Sequence, residues 1–160
     1  MTFATADLCD AFGPLARLAA PIFRDYGGLV RFAGPIDTVQ VSEDNALVAQ
    51  VLDTPGLGRV LVVDGGGSLR CALVGGRLAA LAHSNGWAGL LINGCVRDLA
   101  EIRGIPVGVR AINSSPRRGG KTGSGKRGGT VTFADVTFSP GDFLYADEDG
   151  VVLADRSLTQ

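Results

Sequence analysis

The sequence has little of what usually marks a reactive centre. Its 160 residues include one histidine, one methionine and one tryptophan, and aromatic side chains make up only 6%. The lone histidine, His83, has no second histidine or cysteine at ligand spacing, which argues against zinc, and no Ser–His–acid order is supported. The three cysteines, Cys9, Cys71 and Cys95, form no CxxC pair and are odd in number. A secreted disulfide framework is therefore unexpected, and a reducing, cytoplasmic setting fits better. Cys95 lies in an apolar run and reads as core rather than as a nucleophile. The opening MTFATADLCDAFG lacks a basic segment followed by an apolar one, so no signal peptide is expected. No apolar run reaches the length of a membrane span. Nor is any stripe of Lys and Arg interleaved with aromatics, which speaks against direct nucleic-acid binding.

What is abundant is glycine, 24 residues, in a composition that is 46% hydrophobic and 19% charged. The glycines follow no fixed period, so a low-complexity reading fails. A chain of this length fills one hydrophobic core and not two, so residues 1–160 are expected to form a single domain. The net charge of −1 hides an asymmetry: Arg117, Arg118, Lys121, Lys126 and Arg127 crowd between Pro116 and Thr130 with no acid among them. Within that run GKTGSGKR, Gly120 to Arg127, nearly spells the phosphate loop G-x-x-x-x-G-K-[ST]. Arg127 stands where the magnesium-holding hydroxyl belongs, and no apolar strand leads in. A mobile basic surface loop is the expectation, able to attract an acidic partner.

Thr5 or Asp7 could cap a first helix that breaks at Gly13-Pro14. GGLVRFAGPIDTVQV, Gly27 to Val41, reads as strand, bend, strand around Gly34-Pro35. EDNALVAQVLDTPGLG reads as a helix capped by Asp44 or Asn45 and ended by Pro55-Gly56. RVLVVDGGG gives a buried strand, Val60 to Asp64, that stops at three glycines. Gly75-Gly76 then precedes a helical pattern, RLAALAHSNG, followed by the strand GLLINGCV, the pair Arg97-Asp98, a short LAEIRG segment and the strand IPVGVRAI. Strand, helix, strand repeated in this way predicts an α/β fold with a βαβ core and a partly parallel, mixed sheet. From Thr130 onward TVTFADVTFSPGDFLYADEDGVVLA alternates apolar and polar residues, the mark of antiparallel structure.

Both glycine clusters lie between an apolar run and a possible helix start, where free backbone N–H groups bind anions. In open α/β sheets ligands collect beyond the carboxyl ends of strands, and Asp64 and Val96 would bring the clusters and Arg97-Asp98 to one rim. Arg97 suits a bidentate grip on a carboxylate, and Asp98 is a hard oxygen ligand for Mg²⁺ or Mn²⁺. Spacing alone favours a plain surface ion pair for these two.

Several blocks then agree in order from Thr5 to Leu153: DNALV, VLVVDGGGSLRCALVGGRLAALA, GWAGLLINGCVRD and VTFSPGDFLYADEDGVVL. Together they resemble the RraA-like family, which includes the regulator of ribonuclease E activity A and the class II 4-hydroxy-4-methyl-2-oxoglutarate aldolases. The resemblance implies a swivelling α/β domain, a homotrimeric ring, a divalent metal (Mg²⁺ or Mn²⁺) and a small 2-oxo acid substrate cleaved to pyruvate, with oxaloacetate decarboxylation at the same site. It would make Gly75, Gly76, Arg77 and Leu78 backbone donors to substrate. Arg97 would bind the substrate carboxylate and the developing enolate oxygen, and Asp98 the metal. The aldolase pattern is Asp, twenty residues, Arg-Asp, and here its first position is Gly76. The missing acid would have to come from elsewhere, such as Glu43, Asp44 or Glu148 of a neighbouring subunit. The regulatory branch, which tolerates that loss, implies ribonuclease E as partner instead.

Overall fold

A computed structural model describes residues 2–159. In chain order the strands are β1 (Arg17–Leu18), β2 (Arg24–Asp25), β3 (Phe32–Gln40), β4 (Val60–Asp64), β5 (Ala72–Val74), β6 (Gly89–Val96), β7 (Gly108–Ser114), β8 (Lys126–Arg127), β9 (Val131–Phe133), β10 (Val136–Phe138), β11 (Phe143–Ala146) and β12 (Val151–Ala154). The helices are α1 (Thr5–Phe12), α2 (Ala46–Leu52), α3 (Gly76–Ser84) and α4 (Leu99–Arg103). Ten strands make one mixed sheet whose main path runs β1-β12-β11-β3-β4-β6-β7-β2, with β5 paired to β6 and β8 to β3; β9 and β10 form a separate hairpin. Strands β3, β4, β6 and β7 are mutually parallel, and the β11–β12 hairpin closes the sheet antiparallel to β3.

The parallel strands are apolar on both faces because both faces are covered. One layer joins Leu61, Val63, Leu90 and Ile92 to α2 and α3 through Val48, Leu52, Leu78 and Ala82. The other joins Val60, Val62 and Leu91 to the closing strands and the β9–β10 hairpin through Phe138, Leu144 and Leu153. This α/β architecture with a mixed sheet is the one expected.

Three local readings change. The bend expected at Gly34-Pro35 is absent, and β3 runs unbroken through it. The proline is tolerated because β3 pairs with β11 up to Pro35 and with β4 from Ile36 onward, so the missing N–H falls where pairing changes partner. Neither Thr5 nor Asp7 caps α1, whose N-cap is Ala4. Thr5 instead donates its N–H and hydroxyl to buried Asp147, each at 2.6 Å, and so ties the first helix to the end of β11.

The basic run is tied down at several points rather than free. Thr122 donates its N–H and hydroxyl to Asp44 at 2.5 and 2.7 Å, and Gly123 N–H donates to the same carboxylate. Gly120 exchanges backbone hydrogen bonds with Glu43 and Asn45, and Arg127 pairs with buried Asp37 at 2.8 Å. With the Thr122 hydroxyl foremost, these donors hold the Asp44 carboxyl down at about 2. The expectation of a free loop failed because Gly, Ser and Lys carry no sign of the distant acid that would pin them.

Candidate active site

The chain leaves β5 at Val74 and enters α3 at Gly76, with Gly75 as an extended N-cap. It leaves β6 at Val96, and Arg97 N–H donates to Val74 O at 3.0 Å, so the two strand ends lie side by side. That juxtaposition places Arg97-Asp98 against the start of α3. A Cβ on Gly75 would lie 2.6 Å from Asp98 Oδ2 and 3.3 Å from Arg97 Cγ, so only glycine allows the two side chains to lie this close. Gly76 N–H donates to Asp98 Oδ2 at 2.9 Å. The first bond within the helix is Ala79 N–H to Gly75 O, which leaves the Arg77 and Leu78 N–H groups without an acceptor in their own helix. Leu78 contributes only its backbone here, since its side chain is buried in the core; the Arg77 side chain is exposed.

Among the described residues neither Arg97 nor Asp98 enters a salt bridge with the other or with anything else. The ion pair that spacing alone favours is therefore not formed. Asp98 also holds left-handed backbone (φ 61°, ψ 45°), a conformation that costs a non-glycine residue about 1–2 kcal/mol.

Asp98 is the N-cap of α4, and Glu101 stands three residues on, the D-x-x-E spacing of a capping box. Asp98 makes no such cap: no side-chain hydrogen bond caps α4. Both carboxylates turn away onto the neighbouring helix. A Cβ on Gly76 would lie 2.2 Å from Glu101 Cδ and 2.2 Å from its Oε2. Glu101 thus fills the space that a side chain at position 76 would take.

Within the chain the acids considered from sequence each have partners of their own. Asp44 is bound by the basic run, Glu43 accepts from Ser68 Oγ at 2.6 Å and pairs with Arg70, and Glu148 pairs with Arg31. The Ser68 hydroxyl and Arg70 hold the Glu43 carboxyl below its ordinary range. Sequence reasoning missed Glu101, although its (i, i+3) spacing from Asp98 puts both on one helical face.

Asn45, Ala72, Arg118 and Lys121 complete a small chamber of about 80 Å³ over Gly75, Arg77, Leu78, Arg97 and Asp98. The Gly65–Gly67 turn does not reach this chamber. Gly65 and Gly66 border a separate cleft with Asp64 and Lys126, because β4 ends opposite Asn93 while β6 continues to Val96. The one-rim expectation therefore holds for the second glycine pair and fails for the first.

Two carboxylates converging on a helix N-terminus are individually favourable there, but a substrate carboxylate brought to the same point would be repelled by them. A divalent cation between them would remove that conflict. Asp98 offers a hard oxygen donor of the kind Mg²⁺ or Mn²⁺ takes directly, and Glu101 beside it could accept from a water in such an ion's shell. Among the described residues no group of three or more His, Cys, Asp or Glu side chains is placed to hold a metal ion, so protein side chains alone would supply at most a partial shell.

Comparison with known proteins gives the same frame. A family model described as RraA-like, Aldolase/RraA, matches residues 5–153. The chain is 56% identical over 160 residues to a protein of Alkalilimnicola ehrlichii named "Putative 4-hydroxy-4-methyl-2-oxoglutarate aldolase", covering 100% of this chain and 99% of that one. Among solved structures, the RNA-processing inhibitor RraA from Thermus thermophilis superposes with a TM-score of 0.95 at 43% identity, covering 99% of this chain and 96% of that chain. A structure from Geobacillus kaustophilus described as S-adenosylmethionine:2-dimethylmenaquinone methyltransferase gives 0.95 at 49%, covering 98% and 97%. Three different activities are thus named on one backbone, so the fold alone does not choose among them. The family model spans nearly the whole chain, and the chain belongs to the RraA-like family.

Proposed function

We propose that the chain is a divalent-metal-dependent aldolase that cleaves 4-hydroxy-4-methyl-2-oxoglutarate to pyruvate and also decarboxylates oxaloacetate. The observation that carries this reading is the unpaired Arg97 and Asp98 facing the first turn of α3, with Glu101 over Gly76. A site kept only for protein contact has no use for a strained aspartate and an uncommitted guanidinium at the bottom of a chamber.

Both reactions break a bond to C3 of a 2-oxo acid and leave its electron pair in a pyruvate enolate. In the aldol cleavage the C4 hydroxyl loses its proton and C4 becomes the carbonyl of a second pyruvate. In the decarboxylation C4 departs as CO₂. The enolate is then protonated at C3. The Arg77 and Leu78 N–H groups would orient the substrate C1 carboxylate. Arg97 would grip that carboxylate and face the 2-oxo oxygen, where negative charge develops, and such preorganised donors supply much of the rate in acyl and enolate chemistry. Asp98 would hold the cation directly, and Glu101 would orient its water in the role of the acid missing at position 76. A divalent cation held there would supply Lewis-acid polarisation of the oxo group.

The N-terminal segment leaves Leu15, Leu18, Ile22 and Leu29 exposed, an apolar surface that supports self-association, in our reading as a homotrimeric ring. Among the described residues no helix is long and apolar enough to cross a membrane; the three free cysteines suit a reducing compartment, and we place the enzyme in the cytoplasm on that ground. The test is pyruvate release from both substrates with Mg²⁺ or Mn²⁺ and then with EDTA. Turnover above that of the free metal ion, abolished by chelator, supports the enzyme; turnover no greater than the metal alone refutes it. A second reading, a regulator that binds ribonuclease E, is favoured by the likeness to the Thermus inhibitor. It predicts saturable binding to that partner that is indifferent to Asp98→Ala.

A further inference from the structure

We propose that Arg118, flanked by Arg117 and Arg70, forms a subsite for the carboxylate on C4 of the substrate, and so sets the enzyme's preference for acids that carry one. This rests on the aldolase reading above. The chamber over Arg97 and Asp98 holds about 80 Å³, well below the roughly 300 Å³ at which ligand pockets usually begin. It suits the three-carbon oxo-acid end of the substrate and little more. Beside it lies an open cleft of about 520 Å³ lined by Glu43, Arg70, Cys71, Arg117, Arg118 and two glycines. Arg118 is the one residue that borders both spaces, whereas Lys121 belongs to the smaller chamber only.

The backbone at Arg118 is fixed by its neighbours, while its side chain is exposed. Ala72 N–H donates to Arg117 O at 2.7 Å and Gly119 N–H to Ala72 O at 3.2 Å, which fastens the 117–119 backbone to β5 three residues before Gly75. The charge is also fixed. The cleft holds three guanidinium groups and one carboxylate, and that carboxylate, Glu43, is already bound by Arg70 and the Ser68 hydroxyl. Arg117 and Arg118 form no salt bridge among the described residues. An anion one bond beyond the scissile C3–C4 bond therefore meets an uncommitted, bidentate-capable donor at the passage between the two spaces. Gripping that carboxylate holds the departing half of the substrate and aligns the bond to be broken.

The experiment compares kcat/KM for 4-hydroxy-4-methyl-2-oxoglutarate with that for 4-hydroxy-2-oxopentanoate, in which hydrogen replaces the C4 carboxylate. Wild type, Arg118→Ala and Arg118→Lys are measured with Mn²⁺, and thermal melts check that each variant folds. The wild type is expected to favour the dicarboxylate. Arg118→Ala should lower the ratio of the two values tenfold or more, with partial recovery in Arg118→Lys, which also serves if the alanine variant fails to fold. A ratio unchanged within twofold, or a wild type that does not discriminate, overturns the subsite while leaving the aldolase standing. Pyruvate release from neither substrate by the wild type overturns the aldolase reading, and the subsite with it.

Discussion

Replacing Glu101 by glutamine keeps the shape of the side chain over Gly76 and removes its charge. Outer-shell partners of a metal site typically account for about 10–100-fold in affinity or activity, which is about 1.4–2.7 kcal/mol. Glu101→Gln should therefore weaken Mn²⁺ binding and metal-dependent pyruvate release by that factor, with the melting temperature little changed because Glu101 is exposed. The complementary change restores an acid at the position the aldolase pattern prefers. A Cβ at 76 already lies 2.2 Å from Glu101 Cδ, and the next carbon, about 1.5 Å further, carries the new carboxyl into the space of the old one. In Gly76→Asp alone Glu101 must swing aside. Two carboxylates held at 4 Å repel by between about 1 kcal/mol in water and about 4 kcal/mol at an effective dielectric of 20, and outward rotation into solvent keeps the cost near the lower figure. The double variant Gly76→Asp/Glu101→Ala has neither clash nor charge deficit. It should recover most of what Glu101→Ala loses. The assay is Mn²⁺ titration by electron paramagnetic resonance beside steady-state pyruvate release. If Glu101→Gln matches wild type in both, or if the double variant is no better than Glu101→Ala, Glu101 is not the substitute acid.

Three further outcomes follow from the same geometry. Gly75→Ala places a methyl 2.6 Å from Asp98 Oδ2 on backbone that alanine readily adopts, so activity should fall at least tenfold while the melt shifts little; a fully active variant would contradict the close approach. Asp44 titrates at about 2 in the fold and near 4 in the unfolded chain, so its stabilising contribution is complete above pH 4 and is lost as pH falls from about 4 towards 2. Asp44→Asn should flatten the acid limb of the pH–stability curve in that window and speed amide exchange at residues 117–125; an unchanged limb would show that the carboxylate is not what pins the loop. Leu91 is fully buried in the layer beneath the closing strands, and Leu91→Ala should cost about 2–5 kcal/mol by denaturant unfolding, a loss under 1 kcal/mol marking a looser core.

Much of the framework was legible because it is written in local pattern. The run Val60 to Asp64 reads as a buried strand and the segment after Gly75-Gly76 as a helix, and both are found. The alternation after Thr130 announced antiparallel pairing, as β9 to β12 bear out. Illegible features depend on what meets what across the sheet. Pro35 reads as a break until the change of pairing partner beneath it is known. Glu101 reads as an ordinary helix glutamate until α4 is set against the start of α3. Asn45, Arg118 and Lys121 are brought to the chamber by backbone hydrogen bonds of Asn45, Arg117, Gly119 and Gly120 that span more than 40 residues, for which no spacing rule exists.

Asp98 and Arg97 act together at the head of α3 in the proposed chemistry, and the rate of pyruvate release in Asp98→Asn and Arg97→Ala tests that most directly. Asparagine retains an acceptor for the Gly76 N–H, so the fold is held while the charge is lost. With Mn²⁺ saturating for the wild type, both variants should lose about 10²–10³-fold in kcat/KM, the usual cost of removing a group that stabilises developing negative charge. Folded variants that release pyruvate at the wild-type rate would contradict the account and move the chemistry to another part of the surface.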